Sequence, residues 1–221
     1  MSRFDLSTAA GRLRTWLDYL WRDHAFLRFG FSNAHWLGPD LVRANQPSPG
    51  QLAYWRRRGV RTVVNLRGAR DESFYALERD ACERLGLTLI DAPLDSRDPP
   101  SADRVRRAAE LFRTIAYPAL IHCKSGADRA GLMAVLYRHL HLGEPVAVAR
   151  TELGKRTLHS KEGLTGVLDY TLDRYEAEGV PQGLNFLQWA ERPVYEPKAV
   201  RGAFKASWWG TLLTERLLRR E

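Results

Sequence analysis

The stretch of sequence that decides the fold is YPALIHCKSGADRAGLMAVL, residues 117–136. Its first part, ending at Ile121, is a short apolar run that predicts a buried strand. Its last part, from Ala130 to Leu136, predicts the beginning of an apolar helix. A glycine, Gly126, lies in the short polar stretch between them. The segment therefore predicts a strand, a tight loop and a helix N-terminus in direct succession.

The loop of this segment has the composition of an anion-binding site. Backbone N–H groups at the start of a helix point towards a bound anion, and the helix dipole favours negative charge there. The same field favours the thiolate of Cys123, which predicts that this cysteine is a nucleophile. The planar guanidinium of Arg129, where the loop closes, matches two oxygens of a phosphate group. Together these residues predict attack by sulfur on phosphorus.

The octapeptide at residues 122–129 resembles the signature of the cysteine-dependent protein tyrosine and dual-specificity phosphatases: His-Cys, five residues, Arg. The resemblance implies a phosphocysteine intermediate on Cys123 that water later hydrolyses, without a metal or another cofactor. It also implies that His122 tunes the thiolate through hydrogen bonds. The phosphate-binding residues that it implies are Lys124, Ser125, Gly126, Ala127, Asp128 and Arg129. Two alternatives are a buried structural thiol and a rhodanese-like sulfurtransferase, whose loop is usually one residue shorter.

The remaining sequence alternates between predicted strands and helices. The strands are expected at residues 40–44, as an edge strand, 60–66 and 87–90. The helices are expected at 7–23, 49–59, 71–85, 101–116, 129–142, 145–153 and 163–178. The second of them is expected to have Ser48 as its N-cap and Pro49 at its first position. This alternation predicts an α/β fold with a central, mainly parallel sheet flanked by helices. The order of Arg43, Gln46-Pro47 and Asn65-Leu66-Arg67 also resembles bacterial dual-specificity-like phosphatase domains, and the resemblance extends over residues 35–145.

The predicted organisation has three parts. Residues 1–30 form a basic amphipathic segment, residues 31–180 a dual-specificity-phosphatase-like catalytic domain, and residues 181–221 a loop followed by a basic amphipathic helix. The first helix is expected to carry Leu13, Trp16, Leu17, Leu20 and Trp21 on one face. Such a helix either packs on the domain or lies on an anionic membrane surface. A similar pattern recurs at residues 203–218.

The composition limits the classes of protein to which this chain can belong. A mean hydropathy of −0.39 and a hydrophobic fraction of 44% describe a soluble globular chain, without the run of about 20 apolar residues that crosses a bilayer. The sequence has no secretory signal pattern and only two cysteines, so we expect a cytoplasmic protein, peripheral on the inner membrane face if its termini bind lipid. A net charge of +8 favours an anionic partner or substrate. No nucleic-acid recognition motif is present, so nucleic acid is not an expected partner.

Cleavage of a phosphoester expels an alkoxide, which needs a proton donor. In relatives this donor is an aspartate about thirty residues before the nucleophile. Asp95 lies 28 residues before Cys123 and is the favoured candidate. Asp98 is the second candidate, and its alternative role is to cap the next helix. Asp91 is expected to end the preceding strand.

Three features bear on the substrate. Lys124 after the nucleophile and Asp128 before the arginine resemble phosphatases that act on phosphoinositides and other lipid phosphates. These two residues favour a phospholipid or inositol phosphate, and a phosphotyrosine or phosphoserine protein is the alternative. Ala130 departs from the family, where Ser or Thr stabilises the cysteine as it leaves. Slow turnover would follow, so a low-turnover phosphate-binding adaptor is a further alternative.

Two minor predictions concern residues outside the loop. A basic rim around the site is predicted from Arg97, Arg156, His159 and Lys161. The second cysteine, Cys82, is predicted to lie in the core, because apolar helix positions commonly hold buried cysteine. The alternative for Cys82 is a reversible disulfide that protects Cys123.

Overall fold

The computed structural model describes residues 3–204. The chain divides into two compact units. The first consists of Met1–Pro93 and Ala116–Lys124, and the second of Leu94–Ile115 and Ser125–Glu221. The domain boundaries expected near residues 30 and 180 stay predictions. The amphipathic helix predicted at residues 203–218 lies, except for its first two residues, outside the described part of the chain.

The first unit contains the sheet. Its strands are β1 (His35–Trp36), β2 (Leu41–Ala44), β3 (Thr62–Asn65), β4 (Thr88–Asp91) and β5 (Ala119–His122). Their order is β1-β2-β5-β3-β4, and the pairs β2–β5, β5–β3 and β3–β4 are parallel. Only β1 runs antiparallel, against β2. The prediction of an α/β fold with a mainly parallel sheet is confirmed.

The prediction that residues 40–44 form an edge strand is wrong. β2 pairs with β5 on one side and with the two-residue β1 on the other. Every residue of β2 is buried, as expected for an interior strand of a parallel sheet. Two residues are too few to produce an alternating pattern, so β1 left no signal in the sequence.

Three helices belong to the first unit: α1 (Ala9–Trp21), α2 (Pro49–Arg57) and α3 (Ser73–Leu85). The predicted cap of α2 is confirmed, because the Ser48 side chain accepts from the Gln51 N–H, and Pro49 occupies the first turn. The apolar faces of α2 and α3 contribute to one core cluster with the sheet, which contains Val42, Ala44, Leu52, Trp55, Val60, Val63, Ala81, Cys82, Leu87 and Leu120.

Cys82 lies in this core, as predicted. It is a free cysteine, and burial raises the pKa of its thiol to about 12. The thiol therefore stays protonated at neutral pH, which makes it a poor nucleophile.

The apolar face predicted for α1 is divided in the structure. Trp16 and Leu20 pack, together with the buried Tyr19, against Phe74 and Leu77 of α3. Three other members of the predicted face, Leu13, Leu17 and Trp21, are exposed. Packing on the domain therefore accounts for only two of the five side chains of the predicted face.

The second unit is helical over its described residues. It contains α4 (Ala102–Thr114), α5 (Asp128–Leu136), α6 (Val146–Ala149), α7 (Val167–Glu178), α8 (Phe186–Ala190) and α9 (Pro197–Ala203). The stretch after residue 181, expected as a loop, holds the two short helices α8 and α9. Asn185 caps α8 with Gln188, a local signal that could have identified that helix. No helix within residues 3–204 has both the length and the hydropathy needed to cross a membrane.

Candidate active site

Cys123 is the first residue after β5 and lies at the carboxyl end of a strand in the sheet interior. Ligands of open α/β sheets bind outside the carboxyl ends of the strands. The neighbouring strands hold the chain here through two backbone bonds. The Leu66 N–H donates to the His122 carbonyl at 2.9 Å, and the Gln46 N–H donates to the Lys124 carbonyl at 3.2 Å. The backbone on both sides of Cys123 is thus fixed by the exits of β2 and β3.

His122, which precedes Cys123, has a fully buried side chain. Its Nε2 lies 2.7 Å from Oε1 of Glu78, whose side chain is also fully buried. The same carboxylate oxygen accepts a hydrogen bond from Nε2 of Gln46 at 3.1 Å. Sequence reasoning missed Glu78. The available signal was an acidic residue on the otherwise apolar inner face of α3, because a buried glutamate needs a partner.

Lys124, which follows Cys123, contacts a second buried carboxylate. Its Nζ lies 3.9 Å from Oδ1 of Asp23. Asp23 also accepts hydrogen bonds from both Nη atoms of Arg67 and pairs with Arg28. Burial alone would raise the pKa of Asp23, but the charge and hydrogen bonds of Arg67, with the charges of Arg28 and Lys124, outweigh it and hold the pKa below its usual value. Asp23 is therefore a carboxylate at neutral pH.

The second unit holds the other half of the signature. Gly126 has φ +75°, in the left-handed region, so any other residue there would strain the backbone. The Ala127 N–H donates to Oγ of Ser125 at 3.4 Å. Asp128 and Arg129 form the first turn of α5, and both side chains are largely buried.

The carboxylate of Asp128 is bound to a histidine. Its Oδ1 lies 2.7 Å from Nδ1 of His159, and Nε2 of that ring lies 2.6 Å from Oδ2 of Asp169. Burial alone would lower the pKa of His159, but its hydrogen bonds to the two carboxylates, and their charges, raise it to about 9. His159 is therefore a buried imidazolium at neutral pH. Its predicted place on an exposed basic rim is wrong, because sequence alone could not reveal the two carboxylates around it.

The two candidate general acids lie in the second unit. Asp95 is exposed and pairs with Arg104. Asp98 is partly exposed, and its Oδ1 accepts from Nη1 of Arg201 at 2.6 Å. The suggested helix cap at Asp98 is wrong, because Oγ of Ser101 accepts the N–H of Arg104 at the start of α4.

The third aspartate, Asp91, lies in the first unit and ends β4, as expected. Its two oxygens accept from Asn65 Nδ2 at 2.8 Å and from the Tyr75 hydroxyl at 2.6 Å. Burial, together with this hydrogen bond, raises the pKa of Tyr75 to about 12. Asp91 is thus held by two neutral donors. Within residues 3–204, no group of three or more His, Cys, Asp and Glu side chains is arranged to hold a metal ion.

Comparison with known proteins gives consistent matches. Residues 37–166 match the family described as "DSP-PTPase phosphatase fused to NAD+ Kinase". The dual specificity protein phosphatase TpbA of Pseudomonas aeruginosa is 31% identical over 106 residues, which are 48% of this chain and 46% of TpbA. The match thus spans about half the length of the curated relative.

Two solved structures share the fold. The crystal structure of P. aeruginosa TpbA has a TM-score of 0.51 at 20% identity, covering 72% of this chain and 90% of that chain. The active form of Tk-PTP has a TM-score of 0.51 at 21% identity, covering 64% of this chain and 97% of that chain. At these identities the two structures are informative about the fold alone.

The cluster of His159 with Asp128 and Asp169 predicts a pH-dependent stability. Because the pKa of His159 is about 9 in the folded protein and 6.5 in a model peptide, its contribution is complete below pH 6.5 and is lost as the pH rises through about 9. The shift corresponds to about 3 kcal/mol. His159→Gln should therefore lower the free energy of unfolding by roughly this amount at about pH 6, and by much less at about pH 10. Urea unfolding of both proteins at the two pH values measures this, and an equal loss at both would contradict it.

Proposed function

This chain belongs to the DSP-PTPase family of phosphatases, and we propose that it hydrolyses phosphate monoesters through a covalent phosphocysteine on Cys123. The observation that carries the proposal is the position of Cys123 directly after the interior strand β5, within a His-Cys-x₅-Arg sequence that ends in the first turn of α5. A nucleophile at the carboxyl end of a strand, followed by a helix N-terminus, meets an anionic substrate in a favourable field.

The proposed reaction has two steps. The Cys123 thiolate attacks phosphorus, so an S–P bond forms while the P–O bond to the leaving group breaks. Asp95 donates its proton to the departing oxygen, and Arg129 with the loop N–H groups binds the non-bridging oxygens. Asp95 then accepts a proton from water as that water attacks phosphorus. The S–P bond breaks, releasing inorganic phosphate and the thiolate.

The nucleophile is tested by replacing Cys123 with serine. Wild-type protein should release phosphate from p-nitrophenyl phosphate with a chelator present. Cys123→Ser should lower the rate by at least about a thousandfold, because a hydroxyl is hardly ionised near neutral pH. Cys82→Ser is the matched control and should keep the activity. Equal rates for Cys123→Ser and wild type would refute the thiolate mechanism. If neither releases phosphate but vanadate still binds, the phosphate-binding adaptor is the better description.

The general acid is tested by comparing Asp95→Asn with Asp98→Asn. Asp95→Asn should lower kcat by about a hundredfold on a phosphotyrosine peptide, whose leaving group needs a proton. The loss should be much smaller on p-nitrophenyl phosphate, whose leaving group is stable as an anion. Asp98→Asn should change either rate by less than about twofold. The reverse ranking would assign the acid to Asp98.

We further propose that the substrate is a phosphate monoester on a membrane lipid. Large apolar side chains are exposed along α1 and in the segment that follows it; Leu13 is 61% exposed, and Trp21 and Leu27 are each 67% exposed. Arginines at positions 12, 14 and 22 accompany them. Exposed Trp and Leu beside arginine suit the headgroup layer of an anionic membrane. Lys124 adds positive charge next to the nucleophile, although Asp23 partly compensates it.

The membrane proposal predicts a loss of vesicle binding without a loss of chemistry. The double variant Trp21→Ser, Leu27→Ser should bind anionic phosphatidylglycerol vesicles about tenfold more weakly, because two apolar side chains no longer enter the lipid. Its rate on p-nitrophenyl phosphate should be unchanged. Leu142→Ser, Val194→Ser removes exposed apolar side chains from the second unit and is the matched control. If wild-type protein does not sediment with these vesicles and prefers phosphopeptides, the substrate is a phosphoprotein.

A further inference from the structure

Both chain neighbours of Cys123 contact one buried set of polar side chains in the first unit. We call this set the flanking network; it consists of Asp23, Arg28, Gln46, Arg67 and Glu78. Glu78 contacts His122, and Asp23 contacts Lys124, at the distances given above. The network therefore reaches the residue before the nucleophile and the residue after it.

The two ends of the network are joined through its centre. Nη1 of Arg67 donates to Oε1 of Gln46 at 3.0 Å, and Nε2 of Gln46 donates to Glu78. The same guanidinium binds Asp23 and lies 3.3 Å from the ring centroid of Phe74. Arg67 is thus held by a carboxylate, an amide and an aromatic face. A continuous path of contacts connects His122 to Lys124 without passing through Cys123.

At one end, the carboxylate of Glu78 contacts the ring of His122. A buried carboxylate needs donors or positive charge around it, because removing it from water is costly. Nε2 of His122 lies 2.7 Å from Oε1 of Glu78, a close polar contact without the angle of a hydrogen bond. Because both side chains are fully buried, this contact limits the positions that the ring of His122 can adopt next to Cys123.

At the other end, the network contains residues from outside the matched family region. Asp23 and Arg28 precede residue 37, where the family match begins. They follow α1, which packs on α3 through Tyr19, and α3 carries Glu78. Asp23 holds the ammonium group of Lys124 and is itself held as a carboxylate by two arginines. The segment before the matched region therefore supplies a direct contact to the signature loop.

We propose that the flanking network positions the nucleophile loop, with Glu78 orienting His122 and Asp23 orienting Lys124, so that the segment before residue 37 is a working part of the phosphatase. This inference rests on the proposed function. Glu78 and Asp23 act through their partners and are positioning residues. Four charges of the network, two acidic and two basic, balance one another in the interior.

The first test measures the reactivity of Cys123 without requiring turnover. The rate of alkylation by iodoacetamide at about pH 6 should fall by about tenfold in Glu78→Gln, because an amide no longer presents a negative charge to the ring that precedes Cys123. At about pH 9.5, where most thiols are ionised, the two rates should converge. Mass spectrometry of the Cys123 peptide gives the rate, and the buried thiol of Cys82 is the internal control. Equal rates at both pH values would refute the role of Glu78.

The second test separates positioning from a merely structural role. Glu78→Gln should lower kcat on p-nitrophenyl phosphate by about tenfold, with KM changed by less than about twofold. Asp23→Asn should raise KM by about fivefold with a smaller effect on kcat, because Lys124 contributes to binding. The effect of Glu78→Gln should vanish in a His122→Asn background, and the effect of Asp23→Asn should vanish in a Lys124→Gln background, because the partner is then already absent. Effects that persist undiminished in these backgrounds would refute the proposal.

Matched controls come from the same elements. Asp80→Asn removes a partly exposed carboxylate of α3 that pairs with Arg84 and Arg12, and Asp18→Asn removes one of α1 that pairs with Arg22. Both should retain wild-type kinetics.

If an amide variant does not fold, Glu78→Asp or Asp23→Glu replaces it. The same direction of change is expected, because the carboxylate then lies at a different distance from its partner. If wild-type protein hydrolyses no phosphoester, the proposed function fails, and the alkylation rates still decide whether Glu78 acts on Cys123.

Discussion

The parallel pairing of β5 between β2 and β3 is the constraint on which the first unit depends. A strand in the interior of a sheet has no free edge, so its position and register are set on both sides. The chain leaves such a strand at one defined point, and here that point is occupied by His122 and Cys123. Backbone donors from the exits of both neighbouring strands then bind the carbonyls on either side of the cysteine. The placement of Cys123 is therefore a consequence of sheet formation.

Buried charge is the second organising feature of the molecule. In the first unit, Asp23 and Glu78 need partners because an isolated carboxylate is unstable away from water. The second unit meets the same requirement differently, since His159 is held between two carboxylates and carries a proton at neutral pH. One of these carboxylates belongs to Asp128 in the signature. In each unit, residues of the signature are thus bound to a buried ionic cluster, which limits the conformations open to them.

The apolar side chains that α1 leaves exposed lie close in sequence to the flanking network. The helix uses Tyr19 and its neighbours to pack on α3, while Leu13 and Trp21 remain in solvent. Asp23 lies two residues after the end of the same helix. Binding of the exposed face to a lipid surface would therefore act close to the carboxylate that holds Lys124. The segment thus has both exposed apolar side chains and a contact to the signature loop.

The sequence by itself determined the features that depend on neighbouring residues. These are the strand, loop and helix around Cys123, the cap of α2 at Ser48, the alternation that defines the α/β class, and the signature that identifies the chemistry. Tertiary structure decided the rest. It placed β2 inside the sheet, divided the face of α1, buried His159 between two carboxylates and brought Glu78 to His122. The physical reason is that a periodic pattern reports which face of an element is apolar, whereas the partner of a buried charge comes from a distant part of the chain and is chosen only when the elements pack.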